Sequence, residues 1–136
     1  MSAPVAEDRT PAGPPTSVSI ASGPLVGPVL RRVVGMLAAR ADLPLDRLDD
    51  AILVADLIAA RAPAHVRDDE VRVDFQPGDR CLDLVIGPLR AGGGQALITD
   101  AAVPGVGNVI EQLADELDVR PEGEDEFLHV RLTYDG

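Results

Sequence analysis

The sequence predicts an α/β (α+β) domain, a two-layer sandwich in which a mixed, mostly antiparallel sheet carries three helices on one face. Three observations lead there. Some stretches alternate apolar and polar residues, the period of a half-buried strand, and others repeat apolar residues every three or four positions, the period of a helix. Their order along the chain is strand, two helices, two strands, loop, helix, two strands. Neither kind of element can hide its apolar side without the other, and a chain of 136 residues is long enough for one core and too short for two ordinary domains.

The elements follow in order. Residues 1–16 hold Pro4, Pro11, Pro14 and Pro15 among small and polar neighbours, and such a stretch buries too little apolar area to offset its ordering entropy. It reads as a flexible tail, with the domain spanning 17–136. Val18 and Ile20 alternate with serines over Ser17–Ile20, a short strand. Beyond Gly23, residues Leu25, Val29, Val33 and Leu37 recur at four-residue spacing, giving a helix that starts near Pro24 or Pro28, where a first turn accepts proline. A break at Asp42–Pro44 leads into a second helix from Leu45 to about Ala62. Its section Ala51–Ala60 is apolar on every side except at Asp56 and so is expected to be largely buried, and Pro63 ends it.

Val71, Val73 and Phe75, then Leu82, Leu84 and Ile86, alternate on either side of Pro77-Gly78-Asp79-Arg80, which predicts two antiparallel strands joined by a tight turn. Periodicity lapses from Gly87 to Gly94, a loop marked by Pro88 and three consecutive glycines. Val106, Val109, Ile110, Leu113 and Leu117 form a helical stripe, the third helix. Leu128, Val130, Leu132 and Tyr134 alternate as a closing strand, paired with a shorter strand near Asp118–Arg120 across the acidic turn Glu122–Glu126.

Composition narrows the function. With 23 acidic against 12 basic residues the net charge is −11, which repels nucleic acid and anionic lipid and favours a basic protein surface as partner. Two Phe, one Tyr and no Trp leave little for stacking bases. The single cysteine, Cys81, excludes an internal disulfide or a multi-cysteine metal cluster and lies in an apolar run where a buried thiol is the usual finding. No stretch has the length of a membrane helix or the layout of a signal peptide, so the cytoplasm is the expected compartment.

The element order, together with local matches, resembles the anti-sigma factor and serine-protein kinase family of the histidine-kinase-like (GHKL) ATPases, over roughly Ser17 to Tyr134. Leu48 to Asp56 is similar to that family's helix in which an acidic residue precedes a magnesium-binding asparagine by four positions, and Gly105-Val106-Gly107-Asn108-Val109-Ile110 with Leu113-Ala114-Asp115 is similar to the start of its last helix. The resemblance implies the Bergerat-type sandwich. It also implies an eroded nucleotide site: Asp56 stands for the acid, Ala60 falls where the metal-binding asparagine belongs, and Gly87 occupies the position of the adenine-binding aspartate. His65 lies near the place of a histidine common after that asparagine. No cofactor is therefore expected, ATP with magnesium being the alternative, and a sigma factor or an anti-anti-sigma-like regulator is the partner implied.

The remaining candidates each carry two readings. Gly105, Gly107 and Asn108 are weak candidates for holding an anion at a helix start, or a plain helix entry after Pro104. Gly92–Gly94 is a phosphate cradle or, the favoured reading, a surface loop, since no Lys or Ser/Thr follows in P-loop spacing. Asp56 marks a residual polar pocket, or faces solvent or pairs with an arginine such as Arg61 or Arg40. His65 and His129 have no zinc-type ligand spacing, and no residue forms a metal site or a nucleophile with its base. The preferred expectation is a regulatory, protein-binding module without catalysis. A serine-protein kinase that retains ATP, and a structural or homodimeric subunit, are the alternatives.

Overall fold

The computed structural model of the chain describes residues 15–134. In chain order these form β1 (Thr16–Ala21), α1 (Val26–Arg40), α2 (Leu45–Arg61), a 3-10 turn (Ala62–Ala64), β2 (Glu70–Gly78), β3 (Cys81–Leu89), α3 (Gly93–Asp100), β4 (Ala102–Val103), β5 (Gly107–Asn108), α4 (Val109–Leu113), β6 (Glu116–Glu122) and β7 (Asp125–Thr133). Five strands make one sheet in the order β1-β2-β3-β7-β6, while β4 and β5 form a separate small ladder. The tail assigned to 1–16 lies, up to residue 14, outside the described residues, and Thr16 already belongs to β1.

Alternation decides which sheet face is covered. Val71, Val73 and Phe75 of β2, Leu82, Leu84 and Ile86 of β3, and Leu128, Val130 and Leu132 of β7 are each at most 2% exposed. Leu30 and Val34 of α1, Val54 and Ile58 of α2, Leu97 of α3 and Ile110 of α4 complete the same core. Burying each such side chain is worth about 1.5–3 kcal/mol. The intervening residues of the strands lie on the other face and are mostly partly exposed, Gly78, Cys81 and Gly87 being covered. Arg80, at positive φ, closes the two-residue connection between β2 and β3, as the turn residues predicted.

Several expectations are corrected. Every neighbouring pair in the main sheet is antiparallel, so the sheet is not mixed. In α1 the covered stripe is Val26, Leu30, Val34 and Leu37, one residue later than expected for its first three members, and Leu25 is left 65% exposed. α2 is not buried all round: Ala51, Val54, Ala55 and Ile58 face the core, while Leu53 is 43% exposed.

The largest difference concerns the third helix. The stripe from Val106 to Leu117 yields only the five-residue α4, because Ala114 turns to extended backbone and the Asp115 N–H donates to the Arg131 carbonyl at 2.8 Å. Leu117 then sits opposite Val130 in the ladder. Pairing with β7 satisfies the backbone groups on the inner side of this edge strand, and no glycine or proline marks the change in the sequence. An additional helix, α3, begins at the end of the stretch expected to form loop, at Gly93 and Gly94, and runs on through residues to which the pattern assigned no element. Its Gly93, Gly94, Leu97 and Ile98 are buried, so tertiary cover outweighs the poor helix propensity of glycine. Among the described residues, no helix is long and apolar enough to cross a membrane.

Candidate functional site

Among the residues that resemblance singled out, Asp56, His65 and Asn108 are engaged within the chain. Asp56 pairs with an arginine at the surface, as one reading expected, but the partner is Arg31 of α1 rather than Arg61 or Arg40: its Nε and Nη2 donate to the two carboxylate oxygens at 2.8 and 2.9 Å. The pair lies on the surface, where water screens such attraction. Ala60, one turn on, is exposed. His65 Nε2 stands 3.1 Å from Asp100 Oδ2 and ties the turn after α2 to the end of α3.

Three glycines in a row serve three separate needs. Gly92 caps α3 in the left-handed region at φ +80°. A Cβ at Gly93 would stand 3.0 Å from the His65 carbonyl oxygen, and one at Gly94 would stand 2.5 Å from a Val119 methyl. The run is thus a helix start rather than a surface loop. Its amides do hold an anion, but an internal one: the Gly92 and Gly94 N–H groups donate to the two oxygens of Glu126 at 2.9 and 3.0 Å. These two bonds hold the Glu126 carboxyl below the usual range.

Gly105 and Gly107 lie at positive φ around the β4–β5 ladder, and Asn108 caps α4. The Asn108 carbonyl oxygen accepts from the Glu111 N–H at 3.2 Å, and its amide donates to the Ile98 carbonyl at 2.7 Å. The cap therefore joins α3 to α4. α2 packs against both α3 and α4, so Asp56, Asn108 and the glycines lie on elements of one layer. Gly87 does not join them. It belongs to the solvent-facing set of β3, and a Cβ there would stand 2.6 and 2.9 Å from ring carbons of Phe127.

That ring belongs to the open face of the sheet. On the open face, Asp74, Val85, His129 and Asp118 stand opposite one another across β2, β3, β7 and β6, and Gln76, Asp83, Arg131 and Glu116 form the next row. Two depressions, of about 210 and 360 Å³, share Val85, Arg120 and His129 in their walls. The charges are paired, Arg131 across strands and Arg120 and Arg72 along their own strands. Arg131 donates to both oxygens of Asp83 at 2.6 and 2.8 Å and reaches Glu116 at 3.4 Å, Arg120 pairs with Asp118 at 2.9 Å, and Arg72 pairs with Asp74 at 3.0 Å. Ser17 also donates to Asp74, at 2.5 Å. Burial is opposed there by Arg72 and Ser17, which together hold the Asp74 carboxyl below its ordinary range. Burial, and then the Arg120 charge, lower the His129 pKa, against the opposite pull of Asp118 and Asp83.

Asp74, Asp83, Glu116, Asp118 and Glu122 outnumber the arginines Arg72, Arg120 and Arg131 around these walls, so the face is acidic around an apolar centre of Val85 and Phe127. The sequence did carry one signal for it. Val85 and Phe127 occupy positions of their strands whose neighbours at the same parity, Asp83, His129 and Arg131, are polar. Only the register shows that the two apolar residues share one face.

A second polar cluster is architectural. Arg47 of α2 donates to the Thr133 carbonyl at 2.8 Å, to Asp50 at 2.8 Å and to Asp115 at 2.5 Å, and Asp115 also accepts from the Thr133 N–H at 2.7 Å. Burial works to raise the Asp115 pKa, but Thr133 and Arg47 outweigh it and the carboxyl titrates below its ordinary range. Among the described residues no group of three or more His, Cys, Asp or Glu is placed to hold a metal ion. No protein-family model and no curated protein matches the chain.

Proposed function

We propose that the chain is a regulatory protein-binding module, similar in design to an anti-sigma factor of the GHKL type but working without nucleotide turnover, and that it docks a basic protein segment on its open sheet face. The observation that carries this is the face itself: a half-buried Val85 and Phe127 at the centre, two adjoining depressions, and an acidic surround of internally paired charges. Such a surface offers an apolar anchor with a charged rim, the division of labour found in protein interfaces. A rim already paired in the free protein also demands little reorganisation on binding.

Support for the absence of turnover is local. The groups that would meet phosphate or metal are committed to Arg31, Glu126, Glu111 and Ile98. Ala60 supplies no oxygen ligand, and a side chain at position 87 would project among the open-face residues around Phe127. A sigma factor or an anti-anti-sigma-like regulator is the partner class the resemblance favours.

The test uses the chain as bait in extracts of its native host, beside Val85→Lys and Asp56→Ala, with ATP and magnesium titrated into each by calorimetry. A polypeptide retained by the wild type and Asp56→Ala but lost with Val85→Lys is the expected result, with no heat at millimolar nucleotide. Magnesium-dependent nucleotide binding abolished by Asp56→Ala would overturn the reading in favour of a kinase.

A further inference from the structure

The helical layer stops short of the last strand of the sheet. α4 ends at Leu113 after five residues, and the apolar side of β6 is left partly open. Leu117 and Val119 are partly exposed, whereas Val130 and Leu128, opposite them on β7, are at most 1% exposed. With Ile98 of α3 and Ala114 they line a groove of about 540 Å³ between α3, α4 and β6. Its walls carry Glu111, Asp115 and Asp118 and no basic residue, while both depressions of the open face contain arginine. Arg47 and Arg120 hold Asp115 and Asp118 from outside the groove. Among the described residues no ion pair engages Glu111, which is exposed. None of Asp56, Ala60, Gly87, Gly105, Gly107 and Asn108 lines the groove, and Leu117 and Val119 lie on the opposite side of the sheet from Val85 and Phe127. The groove is therefore separate from both the eroded nucleotide site and the open face.

We infer that this groove seats a short basic amphipathic helix of another protein, with an apolar side chain over Ile98, Leu117 and Val119 and a lysine or arginine against Glu111. Charge selects the occupant. A wall of carboxylates without an internal cation attracts a basic segment, and it repels both anionic lipid and a second copy of this chain, whose net charge is −11. Backbone chemistry selects its form. β6 carries Pro121 together with Glu116, Asp118, Arg120 and Glu122, a pattern that obstructs the addition of another strand. A helix satisfies its own N–H and C=O groups and needs cover only along its apolar stripe, which is the way amphipathic helices dock in grooves. The contact is small and its charged part faces water, so salt weakens it.

The probe is a fluorescently labelled peptide of about 14 residues, or four helical turns, with leucines on one face and lysines on the other. It is titrated into the full chain and into Val85→Lys, which closes the open face, with affinity read by anisotropy and location by methyl shifts in NMR. The expected result is saturable binding in both proteins that weakens with salt and shifts the methyl signals of Ile98, Leu117 and Val119. Glu111→Lys, at an exposed position, weakens binding by roughly tenfold or more, and Glu111→Gln weakens it by less. Glu70→Lys, which alters net charge as much as Glu111→Lys but lies on β2, three strands from β6, leaves it unchanged. The same peptide with glutamate in place of lysine does not bind. No binding of the lysine peptide, shifts confined to Val85, Phe127 and His129, a loss with Glu70→Lys as large as with Glu111→Lys, indifference to Glu111→Lys, or equal binding of the glutamate peptide would each overturn the inference.

Discussion

Replacing Gly87 by alanine tests whether this glycine is a packing platform. In the resemblance, position 87 is a lost adenine contact, and a side chain there merely restores bulk. In the structure the added Cβ meets Phe127 ring carbons at 2.6 and 2.9 Å and the Glu126 carbonyl oxygen at 3.0 Å. The ring has room to swing toward solvent but the carbonyl belongs to the paired strand, so the overlap is relieved only in part. Overpacking of this kind costs about 1–3 kcal/mol. At about 2.1 cal/mol/K of unfolding entropy per residue, the 136-residue chain loses roughly 3.5 °C per kcal/mol, hence about 4–10 °C in Tm. Calorimetric melts of Gly87→Ala, Phe127→Ala and the double variant read the coupling: with the ring gone, alanine at 87 costs less than half of what it costs in the wild type. Equal costs in both backgrounds, or a Gly87→Ala protein as stable as the parent, would refute the account.

Four further outcomes follow from the polar contacts. Arg47→Ala removes donors to Thr133, Asp50 and Asp115 from a site where the side chain is only 18% exposed, and should cost about 1.5–3 kcal/mol by urea unfolding; Asp115→Asn in the same background should add less than it does alone. The lowered pKa values of Asp74, Asp115 and Glu126 place their stabilisation above the ordinary carboxylate range, so unfolding free energy should fall as pH drops through the depressed folded-state values. His129, also lowered, adds a loss that begins as pH falls below about 6.5, and His129→Gln should remove that upper part of the profile alone. Glu126→Gln removes the negative charge facing the Gly92 and Gly94 amides, and their exchange should quicken in NMR while residues 16–21 stay unchanged.

Much of the local structure was legible from side-chain period. The alternation in β2, β3 and β7, and the turn between β2 and β3, stand where the pattern put them, because one covered face imposes a period of two whatever else the chain does. The second helix was legible for the same kind of reason. What period could not determine was the fate of Val106–Leu117. Its spacing suits a helix, but from Asp115 onward the backbone finds partners in β7, and a partner strand is a non-local fact. In the same way the glycines at 92–94 read as loop, since a sequence displays their poor propensity and not the His65, Val119 and Glu126 atoms that leave no space for larger residues.

The site divides along the same line. Amino-acid identity by itself determined the acidity of the chain, the absence of an oxygen ligand at Ala60 and of a carboxylate at Gly87, and the one-sided covering of the sheet. Only the tertiary structure decided that Arg31 takes Asp56, that Glu126 fills the amides of α3, and that Val85, Phe127 and His129 meet on one surface. Period reports which way a side chain points along its own element. Register, crossing and charge pairing join residues far apart in sequence, and these become fixed only when the strands and helices pack.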